Sequence, residues 1–132
     1  MEKVEVVRGA DLKQGAKTSG ILRGRAFETT KMVLAQSRIA GGVVSGWHHH
    51  GERELYGFLV SGRLQIELGD GDAVEVSPGD FFHVPAGLVH RDANLDGQEE
   101  AWVVNITLGG GPTVVNVEDP RRGARKSSRA AR

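Results

Sequence analysis

Short apolar runs broken by glycine-rich turns dominate the chain. Residues 63–68 are the plainest case: Leu64, Ile66 and Leu68 are apolar, while Arg63, Gln65 and Glu67 are polar. That period of two belongs to a half-buried strand. Residues 55–60 form a second apolar run, and Ser61-Gly62 lies between the two as a two-residue turn signal, so a hairpin is predicted there. Gly69-Asp70-Gly71-Asp72 marks the next turn, before a short strand over 73–76. Pro78-Gly79-Asp80 leads into a strand over 81–84, which Pro85-Ala86-Gly87 ends. Further strand signals fall at 88–91, 101–108 and 113–117. Upstream, 27–39 reads as one long strand, with Met32, Leu34 and Gln36 on one face and Val33, Ala35 and Ser37 on the other. Gly41-Gly42 ends it, and Asp11 to Ser19 reads as a polar loop or a short helical turn. No segment sustains a helical period. About eight short strands at regular spacing predict an all-β sandwich, jelly roll or closed barrel.

Composition agrees and narrows the picture. The 132 residues suit one domain, and 19 glycines against 4 prolines fit many tight turns. The absence of cysteine excludes disulfides and thiolate metal sites and fits a reducing cytoplasm. No apolar run approaches the roughly 20 residues of a membrane helix. Met1 to Arg8 alternates charged and apolar residues without a signal-peptide core. A soluble, cytoplasmic protein is therefore expected. The net charge of zero conceals an asymmetry: residues 121–132 hold six basic and no acidic residues, which leaves 1–120 at a net −6. We read 120–132 as a basic, disordered tail after a domain over 1–119. Such a tail could touch nucleic acid, but a solvated end is the plainer account, so no nucleic-acid partner is expected.

The five histidines fall in two groups, His48-His49-His50 and His83 with His90. In an extended segment His48 and His50 share a face and His49 points away. Glu54 follows four residues after His50. Two imidazoles on one face, a nearby carboxylate and a distant imidazole make a mononuclear site suited to Zn, Mn, Fe, Ni, Co or Cu. Surface histidines on a strand would explain the first group alone, but not its combination with the second.

Gly79 to Asn94 matches G-x5-P-x-G-x2-H-x3-N through Gly79, Pro85, Gly87, His90 and Asn94. The first group supplies H-x-H-x3-E followed by Gly62. This ordered pair of motifs, over about 42–62 and 79–94, resembles the cupin superfamily, and in particular its small single-domain members. The resemblance implies a double-stranded β-helix, that is, a jelly-roll barrel, with one divalent metal held by His48, His50, Glu54 and His90. It implies structural roles for Gly79, Pro85 and Gly87, a turn role for Asn94, and a homodimer paired through sheet edges or through the segments 2–7 and 21–27. It assigns nothing to His83, for which a buried, hydrogen-bonded place is expected.

One spacing departs from the family. Seven residues, Leu55 to Ser61, separate Glu54 from Gly62, where six are usual. Strand parity then groups Leu55, Gly57, Leu59, Leu64, Ile66 and Leu68 as core-facing and turns Glu54 outward with Tyr56 and Phe58. Either a β-bulge between Glu54 and Gly57 re-aims the carboxylate, which is the reading favoured here, or the site is three histidines. Gln36, Phe82, Trp102 and Asn105 are candidate pocket residues, Gln36 foremost because a polar side chain in a core strand needs a partner. No tyrosine, lysine or further histidine sits at a spacing that marks an acid/base pair. Two classes of function stay open: a metal-dependent enzyme, of dioxygenase or isomerase type, acting on a small polar organic molecule, or a non-catalytic small-ligand-binding or sensory cupin.

Overall fold

The computed structural model describes residues 2–121. After a 3-10 turn at Gly9–Asp11 come eleven strands: β1 (Lys13–Gln14), β2 (Leu22–Glu28), β3 (Met32–Ile39), β4 (His48–His49), β5 (Glu54–Ser61), β6 (Leu64–Leu68), β7 (Ala73–Val76), β8 (Phe81–Val84), β9 (His90–Ala93), β10 (Ala101–Leu108) and β11 (Val115–Asn116). They form two antiparallel sheets, six strands in the order β1-β2-β3-β10-β5-β8 and five in the order β11-β4-β9-β6-β7. This is the jelly-roll barrel expected of a double-stranded β-helix.

Alternation along each strand sets the two faces. In β10, Ala101, Val103, Asn105 and Thr107 are buried, while Val104 and Leu108 are exposed. Leu55 and Leu59 of β5 and Ile39 of β3 meet Leu64 and Ile66 of β6 and Val76 of β7 in one core, so residues of both sheets fill the space between them. Burial of these side chains is the main stabilising term, at about 1.5–3 kcal/mol for each large aliphatic.

Three local expectations change. The long strand over 27–39 is two strands, β2 and β3, joined by a turn in which Thr29 Oγ1 accepts from the amides of Lys31 (3.1 Å) and Met32 (3.2 Å). A short hydroxyl that captures its own backbone competes with the ladder. The expected hairpin between 55–60 and 63–68 does not form. Gly62 instead carries the chain from one sheet to the other, and β6 pairs with β7 and β9. That switch requires glycine, because Gly62 has φ +82° and an added Cβ would lie 2.4 Å from the Glu100 carbonyl oxygen. The inward parity of Leu55, Leu59, Leu64 and Ile66 survives, since it depends on burial and not on which strand is the neighbour.

The third change concerns the bulge. Ser61 pairs with Trp102 but Leu59 pairs with Val103, so the extra residue is Val60, at the turn end of β5. From Leu59 back to Glu54 the register with β10 is unbroken. The seven-residue spacing is therefore absorbed at Val60, not between Glu54 and Gly57.

Of the expected tail, residues 122–132 lie outside the described residues. Arg121 forms a two-point ion pair with Asp119 (3.1 and 3.0 Å) and lies 5.1 Å from the Trp47 ring, which Arg91 also approaches at 4.9 Å. The ion pair holds the Asp119 carboxyl at about 2.

Candidate metal centre

Three imidazoles converge between the sheets. His48 lies on β4 and His90 begins β9, directly opposite it in the antiparallel register. His50 follows β4 by one residue, on the same face as His48. All three are buried, and their nearest ring-nitrogen set lies within 4.8 Å. The ring centroids are 4.4 to 5.4 Å apart.

Backbone carbonyls fix the rings. His48 Nδ1 lies 3.0 Å from the Gly46 oxygen, His50 Nδ1 2.9 Å from that of Thr113, and His90 Nδ1 2.9 Å from that of Leu88. A carbonyl only accepts, so each contact places the proton on Nδ1 and leaves the Nε2 lone pair free. His48 Nε2 is buried without a hydrogen-bond partner. An orphaned nitrogen beside two others of the same kind fits a divalent ion of the imidazole-accepting group. Burial pulls the His50 pKa down to about 4 against the raising contact with Thr113, and it lowers that of His90 too. Both rings are therefore neutral near pH 7, as ligation requires.

Glu54 stands apart from this triad. With no bulge at 54–57, the strand parity holds, and its carboxylate lies on the outer face. Oε2 accepts from the Ala86 amide (2.8 Å), and Oε1 pairs with His83 Nε2 (2.6 Å). The amide bond foremost, and then His83, lowers the Glu54 pKa. His83 is hydrogen-bonded as expected, but its side chain is 41 % exposed and stacks on Tyr56 rather than being buried. His49 does not join the triad; its Nδ1 accepts from the Gly51 amide (2.9 Å).

A cavity of about 60 Å3, partly open to solvent, surrounds the triad. Phe82 and Asn105 line it, as the sequence suggested. Gln36 and Trp102 do not. They share the other face of β3 and β10, where Trp102 Nε1 donates to Gln36 Oε1 (3.0 Å) and Arg38 covers the Trp102 ring at 4.5 Å. The partner that Gln36 needed is thus a neighbouring strand, not a ligand.

Three cavity residues escaped the sequence reading. Asp92 follows His90 by two positions, and its Oδ2 lies 3.4 Å from His48 Nε2. Burial would raise its pKa, but the His48 contact and the nearby His90 and Arg23 outweigh this and hold it at about 2. Parity within 90–93 is the signal that could have found it. Thr107 has a buried hydroxyl without a partner, and Arg23 enters from β2. Burial lowers the Arg23 pKa and the charge of Asp92 opposes this.

Residues 36–107, more than half of the chain, match the Cupin domain family, and the chain belongs to it. No curated protein sequence matches. Among solved structures, the polyketide cyclase RemF from Streptomyces resistomycificus is similar over 93 % of this chain and 94 % of its own, with a TM-score of 0.72 at 21 % identity. An uncharacterized conserved protein with a double-stranded beta-helix domain from Klebsiella pneumoniae covers 88 % of this chain and 99 % of its own, with a TM-score of 0.71 at 18 % identity. A structure of oxalate oxidase covers 95 % of this chain and 73 % of its own, with a TM-score of 0.68 at 18 % identity. Similarity at these identities defines the fold. Among the described residues no helix is long and apolar enough to cross a membrane.

Proposed function

We propose that this cupin is a metal-dependent enzyme acting on a small organic molecule, with one divalent transition ion held by His48, His50 and His90. The observation that carries the proposal is the orphaned His48 Nε2, grouped with two other buried imidazoles whose Nδ1 atoms are all tied to carbonyls. When bound, the ion supplies Lewis-acid chemistry toward a carbonyl or water or, if iron, access to oxygen chemistry of the dioxygenase type. The residues of this chain orient the three rings, give the cavity an apolar wall of Val33, Phe82 and Val103, and place Asn105 and Thr107 in its lining. Polyketide cyclase and oxalate oxidase activities on the same fold support an enzymatic role. Zn, Mn, Fe, Ni, Co and Cu all suit the donor set. The cysteine-free composition supports the cytoplasm as its location.

A non-catalytic ligand-binding role is the second reading. It is favoured by the cavity lining, which among the described residues has no tyrosine or lysine to serve as a proton donor. We also propose a homodimer through the outer face of the six-stranded sheet. There Phe81 is 82 % exposed and packs on Phe58 (4.8 Å), with Tyr56, Val104 and Leu108 also exposed.

Elemental analysis of untagged protein tests the metal reading. About one equivalent of a transition metal is expected in the wild type and in Glu54→Gln, and a loss of affinity of about a hundredfold or more in His50→Ala and His90→Ala. Failure of the wild type to retain or take up any of the six ions would overturn it. Product formation from a bound ligand would separate the enzyme from the sensor.

A further inference from the structure

We propose that the cavity is built for a small anionic ligand, a carboxylate or enolate on a short apolar body, with Arg23 as the residue that binds its charge. The proposal rests on the metal reading above and adds the ligand class.

Arg23 reaches the cavity because β2 pairs with β3 so that Arg23 lies opposite Ser37, and both side chains line the space around the triad. Its Nη1 donates to Thr18 Oγ1 (2.6 Å) and to the Ala16 carbonyl (3.2 Å). Both acceptors are neutral, so they fix the guanidinium without cancelling its charge. Among the described residues Arg23 has no ion pair, and its hydrogen bonds come from Nη1 alone. The second cavity arginine is different. Arg25 is committed to Glu28 (2.5 Å) and to the Gln14 carbonyl (3.1 Å).

Charge bookkeeping points the same way. With the divalent ion on three neutral imidazoles, the cavity holds +2 from the ion, +1 from Arg23 and −1 from Asp92, a net of about +2 in an apolar enclosure. The carboxylate that would reduce this, Glu54, faces outward. Protonation of Asp92 would only increase the positive charge, so the conclusion does not depend on it. Positive charge between apolar walls is stabilised by an anion, and a guanidinium matches the fork of a carboxylate. Thr107 Oγ1, buried without a partner, is a further hydrogen-bonding group for such a ligand. The apolar lining, from Val33, Ile39, Leu55, Phe82 and Val103, suits a short hydrocarbon body.

The test uses isobutyrate and its neutral isostere isobutyramide, titrated calorimetrically into full-length protein whose zinc content has been measured first. Isobutyrate is expected to bind at least about tenfold more tightly than isobutyramide, and Arg23→Gln to weaken isobutyrate by about tenfold with zinc stoichiometry unchanged. Arg23→Lys, which keeps the charge but loses the fork, falls between. In wild-type protein the Arg23 Nε–H resonance shifts with isobutyrate and not with isobutyramide, a readout that stands even if Arg23→Gln does not fold. Equal binding of the two probes, or an Arg23→Gln variant that binds isobutyrate like the wild type, overturns the proposal. If the protein takes up none of the six ions, the metal reading fails, and the same titration of metal-free protein still decides whether Arg23 selects the anion.

Discussion

Metal-free protein should lose stability on mild acidification, and His50 is the group through which this can be worked. Its ring is 4 % exposed and its folded pKa lies at about 4, burial being the main cause. In the unfolded chain the value returns to about 6.5. Below pH 6.5 the unfolded chain therefore binds a proton that the folded one refuses, and the unfolding free energy falls as pH falls. The slope approaches about 1.4 kcal/mol per pH unit midway and vanishes below the folded pKa, where both states are protonated. From these two pKa values His50 alone removes about 2 kcal/mol between pH 7 and 5, and about 3 kcal/mol by pH 4. His90, lowered in the same direction, adds to the loss. Asp92 works in another window: its folded pKa of about 2 adds stability above the ordinary 3.8 that is lost only as pH falls from there toward 2. Urea unfolding of chelator-stripped protein at pH 7, 6 and 5, followed by tryptophan fluorescence, measures the effect. His50→Gln should flatten the profile by about 2 kcal/mol over that range. A wild-type unfolding free energy that changes by less than about 0.5 kcal/mol from pH 7 to 5, or a His50→Gln profile as steep as the wild type's, would refute the reasoning.

Other perturbations probe the fold around the site. Gly57→Ala sets a Cβ 2.4 Å from Phe82 Cζ, so the ring or the strand must shift; a cost of about 1–3 kcal/mol in thermal unfolding is expected, and an unchanged melting temperature would contradict this packing. Asn94 is fully buried, donates through Nδ2 to the carbonyls of Ile39 (3.0 Å) and Glu99 (2.7 Å), and accepts from the Asp96 amide. Asn94→Ala leaves those carbonyls unsatisfied and should cost about 2–3 kcal/mol in urea unfolding, with metal content intact. Phe81→Asp should convert a dimer to a monomer by light scattering, whereas a monomeric wild type would refute pairing through that face.

The sequence alone settled whatever repeats with the period of the strand or sits inside one short motif. Alternation marked β6 and β10, and glycine with proline marked the turns around β8. His48 and His50 lie two residues apart, so one extended segment aims both at the same side; the motif ending at His90 and Asn94 marked the strand that faces them. Parity by itself turned Glu54 outward, but the reading favoured from the sequence re-aimed it inward through a bulge between Glu54 and Gly57, and no such bulge forms. Only the tertiary structure could decide where the extra residue of the 54–62 segment goes, because a bulge is stabilised by the register with a distant strand, here β10 at Trp102 and Val103. That decision turned Glu54 toward His83 and Ala86 and left three histidines in the buried cluster. The tertiary structure likewise converted an expected hairpin into a change of sheet at Gly62, since strand pairing depends on long-range partners that local pattern does not encode. Gln36 and Trp102 had matching polar groups, but only the pairing of β3 with β10 shows that they satisfy each other. Arg23, remote in sequence from every histidine, reaches their cavity only because β2 lies beside β3.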